Sequence, residues 1–236
     1  MKKILGAMRR AIEDFDLIQD GDKIGVGLSG GKDSMVLLYA LKLYQRFSPE
    51  NFELEAFTVN LGYEDFDTET IRKYCESIDV PFNLKETNIK DIVFEARKEK
   101  NPCALCANMR RGAIHNSLKE KDFNKLALAH HGDDALDTLF LSMLYEGRIN
   151  TLQPLTYLDR KQLYVIRPFL YLSEYDIKGA INKYEIPVVK NPCPVDKKTK
   201  REYIHNLLKN IYKEIPGCRD RLLRAIQNSE ELNLWF

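Results

Sequence analysis

No run in this 236-residue chain approaches the ~18 consecutive apolar residues of a membrane span. The basic start Met1-Lys2-Lys3 leads into a short apolar patch broken at Arg9 and Arg10, which is unlike a signal peptide. Net charge is missing too: 36 Lys and Arg against 35 Asp and Glu leave +1, so the global charge selects no partner. Cysteine is scarce and odd in number, with five residues, which argues against a disulfide framework and for reduced thiols in the cytoplasm. There is no internal repeat, low-complexity tract or long linker. With 44% apolar residues the chain can still bury a good core, as one domain or one plus a small appendage. The expectation is a cytoplasmic enzyme with no membrane partner.

What the chain does have is alternation. Strand patterns fall near 23–28, 53–59, 82–87, 125–129 and 162–167. Helical patterns fall near 33–47, 67–78, 89–100, 106–121, 134–145, 173–184, 199–213 and 217–228. This predicts a doubly wound, mostly parallel α/β sheet with a helical C-terminal extension and ligands at the carboxyl ends of the strands. Three parts are expected: an N-terminal helix over 1–22, with Ile4, Met8, Ile12 and Phe15 on one face; an α/β domain over 23–188; and a basic helical region over 189–236.

The segment Gly27-Leu28-Ser29-Gly30-Gly31-Lys32-Asp33-Ser34 follows the apolar alternation Ile24, Val26, Leu28 and opens the helical run Met35 to Leu43. Strand, glycine turn and helix N-terminus come in succession, and the unpaired N–H groups there attract an anion. Gly30 and Gly31 let the backbone approach a phosphate, Ser29 and Ser34 add hydroxyls, and Lys32 adds a charge. The Walker pattern fails twice, at Val26 and at Asp33 after Lys32. The dinucleotide spacing G-x-G-x-x-G is present at Gly25, Gly27 and Gly30, but its first two glycines lie inside the strand. The next strand also ends at Asn60 with no acid for a ribose. A turn without a ligand is the plain alternative.

Ser29 to Ser34 resembles the PP-loop of the ATP pyrophosphatase superfamily, whose members cleave ATP between the α and β phosphates and transfer AMP to a substrate oxygen. The resemblance implies an adenine nucleotide α-hydrolase-like fold with ATP and Mg²⁺. Leu28, Ser29, Gly30, Gly31, Lys32, Asp33 and Ser34 would hold the nucleotide, with Val59 and Asn60 near the adenine. A second strand end, Lys125 to Ala129, runs into His130-His131-Gly132-Asp133-Asp134. Acids at a helix start are ordinary N-caps; the alternative is that one carboxylate meets Mg-ATP or the substrate base. The superfamily carries a Gly-His-x-x-Asp-Asp segment beside the nucleotide; here Ala129 replaces the usual Gly and Asp137 the usual Glu. By that likeness Ala129, Asp133 and Asp134 belong to the nucleotide site and Asp134 is the expected catalytic carboxylate, in proton transfer or metal positioning.

Cys103-Ala104-Leu105-Cys106 follows Pro102 into a helical pattern containing Met109-Arg110-Arg111-Gly112. A thiolate at a helix N-terminus is stabilised there, so a redox pair, a zinc site and an iron-sulfur site all compete. A thioredoxin-like pair belongs after the first strand, and structural zinc needs four ligands. Cys193, between Pro192 and Pro194, is the remaining ligand-like thiol, whereas Cys75 and Cys218 sit in helical patterns and read as inert. Taken together, Ser29 to Ser34, Cys103-x-x-Cys106, His130 to Asp134 and Cys193 resemble the tRNA 2-thiocytidine biosynthesis family over nearly the whole chain. That resemblance implies a 4Fe-4S cluster on Cys103, Cys106 and Cys193, with Lys32, Arg110 and Asp134 as the catalytic set.

Between Lys190 and Arg224 ten Lys and Arg face four acids, a stretch that reads as a solvated helical face or as a phosphate-tracking surface. Tyr203, His205 and Tyr212 could stack on a splayed base or serve helix packing. The expected activity is ATP-dependent thiolation of a pyrimidine in tRNA, cytidine of the anticodon loop first. The partners are tRNA and a sulfur donor, whether a cysteine desulfurase, sulfide or a carrier; oligomeric state stays open, a homodimer included. The alternatives are a 2-thiouridine-forming enzyme, a lysidine-synthetase-like ligase, and a non-enzymatic zinc or RNA-binding module.

Overall fold

The computed structural model describes residues 1–97, 102–193 and 200–228. The end of the helix expected over 89–100, and Asp196, Lys197 and Lys198 of the basic stretch, lie outside the described residues. The chain divides into two compact units, Met1–His131 with Gln153–Val195, and Gly132–Leu152 with Asp196–Phe236.

The first unit opens with α1 (Lys2–Asp14), β1 (Asp22–Gly27), α2 (Lys32–Tyr44), β2 (Phe52–Asn60), α3 (Thr68–Ser77) and β3 (Phe82–Glu86). It continues through α4 (Ile89–Asp91, extended by a π-type turn over Ile92–Ala96), α5 (Pro102–Glu120) and β4 (Lys125–Ala127). The order β3-β2-β1-β4-β6-β5 is completed by β5 (Leu155–Leu158) and β6 (Leu163–Ile166), after which α7 (Glu174–Tyr184) returns over the sheet. All neighbouring strands are parallel except the pair β5 and β6. The fold is the mostly parallel, doubly wound sheet that the alternation implies.

Burial explains the elements. Ile24 and Val26 of β1 are fully buried, and so are Met35, Val36, Leu37, Leu38, Ala40 and Leu41, so α2 is apolar nearly all round and lies in the middle of the core. Ile4, Met8 and Ile12 of α1 face that core, with Phe15 packed at its margin. β5 escapes the sequence pattern because its four residues are half-exposed on the edge and follow Pro154, leaving no clean alternation. α5 begins four residues before its expected start, since Pro102 is well suited to the first helical turn; Cys103 and Cys106 therefore both ride on the helix.

Two features position the site. The chain runs β1 to β3 toward one edge and then crosses to place β4 on the other side of β1, so a crevice opens outside the carboxyl ends of β1 and β4. At the opposite, amino end, the buried pair Asp22 and Lys125 meets at 2.6 Å, and Lys125 also donates to the Leu17 carbonyl at 2.9 Å. Asn124 and the Gln19 N–H donate to the two Asp22 oxygens.

In the second unit, α6 (Gly132–Leu141, extended by a π-type turn over Ser142–Glu146) packs with α8 (Lys200–Glu214) and α9 (Cys218–Gln227). Leu136, Ile204 and Leu208 form its buried centre. Among the described residues no helix is long and apolar enough to cross a membrane.

Candidate active site

At the end of β1 the Leu28 N–H donates to the Phe57 carbonyl of β2 at 2.8 Å, and the chain then turns into the loop 29–34. The Ser34 hydroxyl donates to the Gly31 carbonyl at 2.9 Å and accepts from the Ser29 N–H at 3.2 Å, while the Ser29 hydroxyl accepts from the Gly31 N–H at 3.3 Å. Both hydroxyls thus brace the turn from within. Gly30 has φ +77°, and a Cβ there would stand 2.9 Å from Val189 Cβ, so only glycine fits. Val189 in turn donates its N–H to the Gly30 carbonyl at 2.8 Å, which clamps the loop from a distant segment.

Lys32 opens α2 and pairs with Asp33 at 2.9 Å and Glu174 of α7 at 3.3 Å. Burial would lower its pKa, but these two carboxylates outweigh that and raise it, so the ammonium is retained. Burial would likewise raise the Glu174 carboxyl; Lys178 and Lys32 together pull it down to about 2. The other Asp33 oxygen, Oδ1, is buried without an accepted hydrogen bond and lies 3.8 Å from His131 Nε2, at the end of β4. Ala129 and His130 precede His131 on that strand end, half-buried.

Val59 is buried and Asn60 half-buried at the carboxyl end of β2. The Asn60 side-chain oxygen accepts from the Gly62 and Tyr63 N–H groups at 3.1 and 3.2 Å and so turns the chain after β2. Burial, and after it the Cys193 thiol, push the Tyr63 hydroxyl pKa up. Cys193 itself receives local support from Asn191, whose side-chain oxygen accepts its N–H at 3.2 Å. Cys106 interacts with Cys103 and Cys193; burial raises its thiol, Arg110 opposes that, and the two other sulfurs add to it. Arg110, half-buried on α5, has its own pKa lowered by burial. All five cysteines are free thiols, with Cys103 exposed and Cys106 and Cys193 half-buried. Among the described residues no three His, Cys, Asp or Glu side chains stand close enough to share a metal ion as placed. Cys75 is buried and its thiol is pushed up to about 12 by burial; Cys218 is half-buried at the start of α9.

Asp133 and Asp134 lie in the first turn of α6, in the second unit. Asp133 is held by Arg219 at 2.5 Å, whereas Asp134, 26% exposed, faces Arg201 at 3.9 Å. One turn on, Asp137 meets His205 at 3.1 Å, and burial pushes the Asp137 carboxyl up to about 6 against that partner. His205 is therefore committed to an acid, Tyr212 packs on the unit's apolar centre, and Tyr203 stands exposed.

Comparison with known proteins follows this geometry. A family model described as the PP-loop domain matches residues 4–211. The tRNA-cytidine(32) 2-sulfurtransferase of Pelobacter propionicus is 36% identical over 96% of this chain and 86% of its own length. That of Geobacter sulfurreducens is 37% identical over 96% and 90%. This chain belongs to the PP-loop tRNA-cytidine 2-sulfurtransferase family. A similar solved structure, the U34-tRNA thiolase NcsA from Methanococcus maripaludis with its 4Fe-4S cluster, is 25% identical. It superposes with a TM-score of 0.79 over 98% of this chain and 79% of its own. An NH3-dependent NAD synthetase from Campylobacter jejuni, 14% identical with a TM-score of 0.52 over 95% of this chain and 92% of its own, shares the fold.

In this member of the PP-loop family the structure adds site residues that sequence reasoning missed. Glu174 touches Lys32, and Val189 clamps Gly30. Glu174 reads locally as the first turn of a capped helix, where Ser173 and Asp176 form a capping box.

Proposed function

We propose that this chain thiolates cytidine 32 of tRNA: ATP activates the C2 oxygen of the base, and sulfur then replaces that oxygen with release of AMP and pyrophosphate. The observation that carries the reading is the near-full-length likeness to the tRNA-cytidine(32) 2-sulfurtransferases. Loop, lysine and thiol chemistry support it independently.

The start of α2, held open by the internally braced turn over residues 29–34, receives phosphate oxygens, and Lys32 turns from Asp33 and Glu174 to the phosphate charge. Asp33 Oδ1, buried without an accepted hydrogen bond, is a suitable oxygen ligand for Mg²⁺. The cytosine C2 oxygen attacks the α phosphorus and pyrophosphate leaves. Sulfide, free or delivered at the sulfide level by a carrier, then adds its sulfur at C2 and AMP departs with the former oxygen; a cysteine desulfurase would serve only with a thiol reductant that supplies two electrons to break the S–S bond of its persulfide. Asp134, the more exposed acid of its pair, is the group offered for the proton that the sulfur sheds. Adenylation is what makes the exchange feasible, because it converts a poor leaving oxygen into a phosphate ester.

A set of three ligand-type thiols, Cys103, Cys106 and Cys193, of which Cys106 feels the charge of the other two, suits a 4Fe-4S cluster better than structural zinc, which takes four protein ligands. When bound, such a cluster supplies an iron with a position open to an outside sulfur. Arg110 supplies positive charge beside Cys106, and free thiols suit a reducing cytoplasm. Lys200, Lys209, Lys213, Arg221 and Arg224 of α8 and α9 offer charge to the tRNA backbone.

Anaerobic purification tests the reading through metal content and colour. The expected protein is brown, carries iron, and loses it in Cys193→Ala while still binding ATP; a colourless zinc protein would contradict the assignment.

A further inference from the structure

We infer that Arg167 is a binding site for a backbone phosphate of the substrate RNA, which it grips with the Nε and Nη2 edge of its guanidinium. The inference rests on the proposed function, which makes RNA the second anionic substrate. Arg167 stands one residue beyond the paired row Val26, Ala127 and Ile166, at the carboxyl end of β6. By strand alternation it shares the face of Leu163 and Val165, which pack in one cluster with Ile114 and Leu118 of α5. Leu118 lies against Gly25 and Ile114 against Gly27, so the first turns of α5, with Cys103 and Cys106, run toward the same end of the sheet as Arg167.

The backbone here is fixed. Arg167 donates its N–H to the Pro154 carbonyl at 2.9 Å, Pro168 follows, and Ile166 and Phe169 on either side are fully buried. The side chain is tethered through Nη1 alone, to the Gln153 carbonyl at 2.5 Å and the Thr156 hydroxyl at 3.1 Å. Nε is shut off from solvent and makes no hydrogen bond. Among the described residues nothing accepts from Nη2 and no carboxylate pairs with the guanidinium, and burial lowers its pKa with nothing to oppose it. A desolvated charge without a counter-charge is costly, and a neutral donor would tether β5 as well. The unused edge carries two parallel N–H groups, the geometry that takes two phosphate oxygens, on a residue that is only half-buried. Distance selects the anion. Two strand spacings, roughly 10 Å, separate β1 from β6, with β4 between them, and the Nη1 bonds draw the side chain further off toward β5. In the proposed reaction the nucleotide phosphates sit at the end of β1, so the anion left for Arg167 is the backbone of the RNA whose base enters the crevice.

The test measures binding of unmodified tRNA by fluorescence anisotropy across a salt series, with ATP binding and thermal melting beside it. It compares wild type, Arg167→Gln and Arg167→Lys as full-length, cluster-loaded proteins. Arg167→Gln should bind tRNA about tenfold more weakly, with the slope of log affinity against log salt shallower by about 0.7–0.9 and ATP affinity unchanged. Arg167→Lys keeps the charge but loses the fork, and should fall in between with a slope near that of wild type. Wild-type tRNA affinity and slope in Arg167→Gln would overturn the inference. Loss of ATP binding with tRNA binding intact would overturn it too, by giving the anion to the nucleotide. A lower melting temperature with both ligands weakened alike and an unchanged slope would reduce Arg167 to a tether for β5, which also overturns it. A wild type that binds no tRNA would instead overturn the proposed function itself.

Discussion

Lys32 is held between Asp33 and Glu174, and in the proposed reaction its ammonium exchanges these two carboxylates for phosphate. Removing that charge takes away a cation beside the turn without disturbing the hydroxyl braces of the loop. Lys32→Ala should therefore lower kcat/KM for AMP release by roughly 10²–10³, with only the modest fall in melting temperature that loss of the Glu174 pair brings, checked by a coupled pyrophosphate assay and a thermal scan. A loss of less than threefold would remove Lys32 from the chemistry. The residues of this loop were readable in advance because eight consecutive positions carry the whole signal: glycines, hydroxyls and a lysine at a strand-to-helix junction. Glu174 and Val189 were not, since each acquires its role only when the topology brings it to a partner far along the chain.

Helix α7 shows how an element can store charge for the site. Its Glu174 has a carboxyl pulled from the ordinary 4.5 to about 2 by Lys178 and Lys32 against the opposing effect of burial. A depressed carboxyl stabilises the fold fully above its unfolded value, and that contribution disappears as pH falls through the folded one. The stability difference between wild type and Glu174→Gln should be flat above pH 5 and close between about 4.5 and 2. Its plateau should be about 1–2 kcal/mol once solvent screening is allowed for, read by urea unfolding across pH. A difference that persists unchanged at pH 2 would contradict the assignment. Helix positions were readable from apolar spacing, whereas a cap such as Asp67, which accepts from the Thr70 N–H at 2.9 Å ahead of α3, shows itself only in the structure. The antiparallel edge strand β5 was not, because an exposed four-residue strand has no buried face to imprint alternation on its sequence.

At the scale of the molecule, the strand order decides where chemistry can occur. The reversal between β1 and β4 puts the phosphate loop and the Ala129 to His131 turn at one crevice, while the opposite end of the same strands is locked by the buried Asp22 and Lys125 pair. Lys125→Met leaves Asp22 charged and buried, and should cost about 3–5 kcal/mol in urea unfolding without altering the ATP affinity of the folded protein. Alternation of strands and helices announced a parallel sheet, but the order of strands rests on long-range packing that no local pattern encodes. Cys103-x-x-Cys106 is legible as a motif, whereas the influence of Arg110 and of the distant Cys193 on Cys106 emerges only from the fold. The most direct trial of the account is nucleoside mass spectrometry of unmodified tRNA treated with the cluster-loaded protein, ATP, Mg²⁺ and sulfide. The prediction is 2-thiocytidine at position 32, formed with one AMP per sulfur inserted. Thiolated uridine in its place, or AMP released with no sulfur in the tRNA, would contradict it.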